Sequence, residues 1–187
     1  NDAFAVSHRE NASVGAIKKY LPAYAGLALE SEIENLSKAL KPKKPLAVVI
    51  GGAKIETKIS LLKKMKKKAK WILIGGAIAN NFLLALGNEV GRSLVDKDYL
   101  KITKKLYAKK IILPVDVVVS DQADGEGKIS VKSFDEAGKK DFIFDIGPKT
   151  ISLYAKIIKQ AQTIIWNGPV GKFESEHFKH GTLAIGR

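Results

Sequence analysis

The residues best suited to chemistry stand together at Gly51-Gly52-Ala53-Lys54, with a second lysine at Lys58. An apolar run, Leu46–Ile50, precedes them, and Ile55, Ile59, Leu62 and Met65 recur at the spacing of one helical face. The stretch therefore predicts a strand, a tight turn and a helix over Lys54–Ala69 that opens near Ala53. Both lysines then fall in the helix's first turns, where the macrodipole and unbonded N–H groups disfavour cations. An anion arriving at that pole would offset them, and phosphate is the anion such a terminus suits. The other reading is a sharp turn with two solvated lysines, since the loop matches neither G-x-x-x-x-G-K-[ST] nor G-x-G-x-x-G. These residues alone do not choose between the two.

The elements that would position this loop repeat along the chain. Strand-like runs at Leu46–Ile50, Trp71–Ile74, Ile111–Leu113 with Val115–Val119, Phe142–Phe144 and Thr163–Trp166 alternate with helical patterns at Lys54–Ala69, Ala77–Leu86, Asp96–Lys109 and Lys149–Gln160. Several of the runs are continuously apolar, as strands covered on both faces are. Such alternation predicts an α/β fold: three αβα layers around a doubly wound parallel sheet, Rossmann-like, with right-handed crossovers. Ligands of such sheets bind beyond the carboxyl ends of the strands, where the strand order reverses. Five loops follow strands: Gly51–Lys54, Gly75–Ala77, Leu113–Asp116, Asp145–Pro148 and Asn167–Gly171. Four of the five carry glycine, which lets backbone approach a ligand. Asp121–Lys128 reads as a polar loop tipped by a small hairpin through Ile129–Val131.

Composition narrows the remaining classes. The 187 residues, 45% of them hydrophobic, suffice for one domain or one domain and part of another. No apolar run reaches the roughly eighteen residues of a membrane helix, and there is no cysteine for disulfides or thiolate metal sites. That usage fits a reducing cytoplasm, and no membrane partner is expected. The net charge of +13 raises nucleic-acid binding. Much of it, however, sits in Lys63-Lys64-Met65-Lys66-Lys67-Lys68, towards a helix C-terminus where cations are favoured, and it reads as a solvated face. His177 and His180 stand three residues apart, a spacing common on helices, so no metal site is assigned. The chain opens at Asn1 and stops at Arg187 without the look of natural ends, and reads as a piece of a longer protein.

With the loops in view, the sequence resembles phosphoglycerate kinases almost end to end. Asn1-Asp2-Ala3-Phe4 with His8-Arg9 is similar to the family's opening segment, and Gly51-Gly52-Ala53-Lys54 with Lys58 to its first glycine loop. Ile74-Gly75-Gly76-Ala77 with Ala79-Asn80, Leu113-Pro114-Val115-Asp116, Asp145-Ile146-Gly147-Pro148 with Thr150, and Trp166-Asn167-Gly168-Pro169-Val170-Gly171 with Phe173-Glu174 complete the set. The resemblance implies residues 1–29 as the tail of a triose-phosphate lobe, 30–44 as interdomain helix and linker, and 45–187 as a nucleotide-binding lobe lacking its last part.

It also implies roles. Lys58 contacts the nucleotide phosphates and is a catalytic candidate, with Lys54, Gly51, Gly52 and Ala53 beside it. Gly75, Gly76, Leu94, Leu113, Pro169 and Val170 form an adenine slot, Glu174 holds the ribose hydroxyls, and Asn167, Gly168 and Gly147 lie near the phosphates. Arg9, with His8, closes the triose-phosphate patch and is the second catalytic candidate. The implied activity is glycolytic phosphoryl transfer between 1,3-bisphosphoglycerate and ADP, giving 3-phosphoglycerate and ATP. Mg²⁺ accompanies the nucleotide, its aspartate ligand lies outside this stretch, and the complete enzyme is a monomer. By itself the stretch is expected to bind nucleotide without turnover. The rivals are a non-catalytic nucleotide-binding module and, less favoured, a basic nucleic-acid-binding domain.

Overall fold

The structure, a computed structural model, describes residues 1–187 and divides into two compact units, Asn1–Pro42 and Lys43–Arg187. In the first unit two 3₁₀ turns, Phe4–Val6 and Ala16–Lys19, precede helix α1, Leu27–Leu40. The residue before α1 is Gly26, which has no side chain to cap with. Asp2 supplies the missing acceptor, its carboxylate taking the N–H of Ala28 at 2.7 Å and of Leu29 at 3.0 Å. Helix α1 thus starts three residues before the 30–44 segment that the resemblance implies as interdomain helix and linker. Leu29 is buried, whereas Tyr20, Tyr24 and Leu27 are exposed.

The second unit is built on β1 (Leu46–Ile50), α2 (Glu56–Lys68), β2 (Trp71–Ile74), α3 (Gly76–Ala85), α4 (Leu100–Leu106) and β3 (Ile111–Ile112). There follow β4 (Asp116–Ser120), β5 (Ile129–Ser133), β6 (Phe142–Ile146), α5 (Pro148–Ile158), β7 (Thr163–Asn167) and α6 (His180–Gly186). β1 and β2 are apolar throughout because both their faces are covered. Leu46, Val48 and Ile50 with Ile72 and Ile74 face a core that includes Ile55 and Leu62 of the α2 segment, Ile78 and Phe82 of α3 and Leu106 of α4. Val49 and Leu73 face the opposite core, with Tyr154 of α5 and Ile185 of α6. The buried Tyr154 hydroxyl lies 2.7 Å from the Ile74 carbonyl and 3.0 Å from that of Ile112, which pins α5 to the ends of β2 and β3. The three-layer, doubly wound α/β architecture is as the alternation predicts.

The sheet is not. Only four strands are parallel, in the order β3-β2-β1-β7, and β5-β4-β6 form a separate antiparallel sheet. Ile111–Leu113 and Val115–Val119 therefore belong to different sheets. Pro114 stands between them without an N–H to donate, and the chain leaves the parallel ladder after two paired residues. The predicted hairpin tip is a full strand, β5. The predicted helix Asp96–Lys109 is a 3₁₀ turn, Lys97–Tyr99, running into the shorter α4. The lysine run ends α2 as expected, and Lys110 donates to the carbonyls of Lys66 and Ala69 there, both at 3.0 Å.

Candidate active site

The strand order reverses at β1. From it the chain steps outward through β2 to β3, and β7 later returns to pair on its other side. The loops after β1 and β7 thus flank the crevice where an open sheet takes its ligand. They are sewn together through backbone. Gly51 N–H donates to the Asn167 carbonyl at 3.0 Å, Gly52 N–H to Pro169 at 2.8 Å, and Gly76 N–H to Val170 at 2.7 Å. The contact is close enough to dictate residue type. A Cβ on Gly51 would strike the Pro169 carbonyl, and Gly76 sits at φ 60° with the Gly52 backbone 2.9 Å from where its Cβ would be.

Over this crevice lies an open cavity of ≈ 360 Å³. Gly52, Ala53, Gly76 and Ala77 give it bare backbone and small side chains, while Leu94, Ile143, Phe144 and Pro169 give it apolar walls. Lys172 and Glu174 are its charged lining. A slot of this make suits a flat heterocycle with a few polar groups at its margin. Next to it, Lys58 in the first turn of α2 donates to the Asn167 side chain at the end of β7, so a cation and an amide meet at the phosphate-attracting end of a helix.

The cavity's apolar rim is held by buried polar groups. Asn81 of α3 grips the Leu94 loop, donating to the Asp96 carbonyl at 2.8 Å and accepting its N–H at 3.2 Å. Phe144 is backed by the buried Phe178, ring centroids 4.8 Å apart. At the junction of the two sheets Asp116, at the start of β4, accepts the N–H groups of Lys149 and Thr150 at 2.9 and 2.7 Å, capping α5 from outside. The Thr150 hydroxyl closes the link, 2.6 Å from that carboxylate and accepting from Val115 and Asp116 N–H at 2.9 and 3.0 Å. Asp145, at the end of β6, accepts from Gly181 N–H at 2.8 Å. Burial pushes its carboxyl up to about 6, against those N–H bonds, which pull the other way.

A sequence model of the phosphoglycerate kinase family matches residues 1–187. The chain belongs to the phosphoglycerate kinase family. It is 44% identical over 192 residues to the phosphoglycerate kinase of Coxiella burnetii, covering 98% of this chain and 49% of that protein. The Baumannia cicadellinicola phosphoglycerate kinase is 46% identical over 187 residues, with 98% and 48% covered. Among solved structures, the Coxiella burnetii phosphoglycerate kinase superposes with a TM-score of 0.90 at 43% identity, over 98% of this chain and 49% of that one. The Pyrococcus horikoshii enzyme gives 0.86 at 31% identity, over 99% and 49%. The chain spans about half the length of the relatives it matches.

Against the phosphoglycerate kinase resemblance, the expected residues separate into groups. Gly52, Ala53, Gly76, Leu94, Pro169 and Glu174 line the cavity; Gly51, Gly168, Asn167 and Lys58 border it along the sheet edge. Lys54 does not stand in a helical turn as expected. The chain spends Gly51–Ile55 leaving the sheet, α2 begins at Glu56, and the Lys54 carbonyl receives the Thr57 hydroxyl at 3.0 Å. Leu113 packs on the α2–α3 side of the core instead of the slot, and Gly75 and Val170 are buried against each other beneath it. Gly147 is bare because the Asp116 carboxylate occupies the space where its Cβ would stand. His8 and Arg9 are exposed in the Asn1–Pro42 unit, just after its first 3₁₀ turn. Trp166, near the end of β7, is exposed, with its indole N–H on the Gly168 carbonyl at 2.7 Å. Sequence reading missed Ala123, Ile143, Phe144 and Lys172 among the lining residues. Lys172 alone carried a signal, as a cation inside the Asn167–Glu174 loop.

Proposed function

We propose that this chain is the nucleotide-binding part of an enzyme that transfers a phosphoryl group reversibly between 1,3-bisphosphoglycerate and ADP, with a carboxyl group as phosphoryl acceptor in the ATP-consuming direction. The observation that carries the reading is the cavity at the reversal of strand order, with its bare backbone and apolar walls, together with Lys58 held on Asn167 at the end of β7, the strand whose following loop supplies part of the lining. Base and ribose occupy the cavity, the ribose hydroxyls donating to Glu174, and the phosphates run along Gly51–Lys54 towards Lys58. Phosphoryl transfer asks the protein for alignment and charge stabilisation, which a lysine fixed at a helix start supplies without reorganising.

Residues 1–29 belong, in this proposal, to a triose-phosphate lobe, with His8 and Arg9 on the substrate's anionic groups, and 30–44 connect it to the nucleotide lobe. No three acids or histidines converge within the chain. Mg²⁺ arrives, in this proposal, on the nucleotide's phosphates, where it neutralises charge, and its aspartate ligand lies outside these residues. The complete enzyme works as a cytoplasmic monomer, and the 187 residues alone bind nucleotide without turning over. Calorimetric titration of the chain with ADP tests the reading: saturable binding, competed by ATP and weakened in Lys58→Ala, is expected. No binding at millimolar ADP would overturn it.

A further inference from the structure

We infer that Lys172 makes the base slot selective for 6-oxopurines, so that guanine and hypoxanthine nucleotides enter at least as readily as adenine ones. The inference rests on the nucleotide reading above. Lys172 is fixed rather than swinging in solvent: its backbone N–H donates to the Phe144 carbonyl at 2.7 Å, and its ammonium to the Asp124 carbonyl at 2.6 Å. The ammonium also lies 5.0 Å from the Phe144 ring centroid, over a ring that Phe178 holds from behind. No carboxylate pairs with it in an ion pair. Glu174, the other charged group of the lining, is committed to the ribose in this reading.

An ammonium has three donors and no acceptor. One donor is used on Asp124, and two remain for whatever edge a base presents to this wall. Guanine and hypoxanthine offer two adjacent acceptors, O6 and N7. Adenine offers N7 next to an amino group that is itself a donor. Lysine on O6 and N7 is among the commonest ways that a protein side chain distinguishes guanine, and an apolar slot strengthens each such bond. Were Lys172 only a fastener for the Asp124 turn, its loss would loosen every purine alike.

The test is titration of the 187-residue chain with ADP, GDP and IDP, in the wild type, Lys172→Met and Lys172→Arg, with the folded fraction matched by circular dichroism. The wild type should bind GDP and IDP at least as tightly as ADP. Lys172→Met should weaken GDP and IDP by about tenfold relative to ADP, and Lys172→Arg, which keeps the donors, should restore the order. A wild type that prefers ADP tenfold or more, or a Lys172→Met that weakens all three by one factor, overturns the inference while leaving the nucleotide site standing. A chain that binds none of the three overturns the nucleotide reading and this inference with it.

Discussion

The parallel strands β3-β2-β1-β7 and the antiparallel strands β5-β4-β6 both carry apolar residues, but they use them differently. All five residues of β1 are buried, because helices cover both faces of that sheet. β5 has no buried residue, and its Ile129 and Val131 are exposed. The parallel sheet contributes the glycine loops and the helix start that bears Lys58. The antiparallel sheet contributes Ile143 and Phe144, an apolar and aromatic wall of the cavity. In the proposed reading one sheet serves phosphate and the other serves base, and the site exists only while the two are held together.

The joint is Asp116–Thr150, and breaking it should have the largest effect. Thr150→Val keeps the shape but removes the hydroxyl from two backbone N–H groups and a buried carboxylate. Leaving buried polar groups without partners costs about 1–3 kcal/mol each before relaxation, so a loss of about 4 kcal/mol is expected in denaturant unfolding. Thr150→Ser should recover most of it. A Thr150→Val within 1 kcal/mol of wild type would mean that the sheets do not depend on this link.

The next effect separates the phosphate side from the joint. Lys58→Ala in the complete protein should reduce turnover by about two orders of magnitude, as loss of one preorganised donor does. Its side chain is half-exposed, so unfolding of the variant should shift by less than about 0.5 kcal/mol. Full activity would remove Lys58 from the site.

The same contrast explains what the sequence made legible. Continuous apolar runs such as Leu46–Ile50 and Trp71–Ile74 mark strands covered on both sides, and a glycine pair after such a run marks the ligand edge. The loops at the reversal of strand order were readable for that reason. Phe142–Phe144 is equally apolar, yet nothing local says which sheet it joins; that is decided by Pro114 ending one ladder and by pairing across long stretches of chain. Phe144 and Lys172 entered the slot through that long-range pairing, beyond the reach of periodicity. Likewise Gly147 looked like a site glycine, but the carboxylate pressed against it comes from another strand.

Asp145 gives a smaller effect, in pH. Its carboxyl titrates near 6 in the fold, by burial, and near 3.9 in the unfolded chain. Between those values the folded state holds more protons, so stability falls as pH rises, by about 2 kcal/mol from pH 4 to pH 7 for this group. Asp145→Asn, which keeps an acceptor for Gly181 N–H, should flatten that slope. An unchanged slope would show that Asp145 is ionised in the fold across the whole range.

The smallest effect tests whether the base side acts independently of the phosphate side. Phe144→Leu keeps an apolar side chain against Phe178 but removes the flat ring from the cavity wall. Aromatic pairs contribute about 0.5–1.5 kcal/mol beyond the area they bury, so ADP should bind about fivefold more weakly. Inorganic tripolyphosphate, which has no base, should bind as before. Lys58→Ala should do the reverse, weakening tripolyphosphate at least as much as ADP. Phe144 sits on β6 of the antiparallel sheet and Lys58 on α2, without a shared partner, so the double variant should lose affinity for ADP as the sum of the two free energies. A clear departure from additivity would mean that the sheets shift together when nucleotide binds, and that base and phosphate are not read by separate walls.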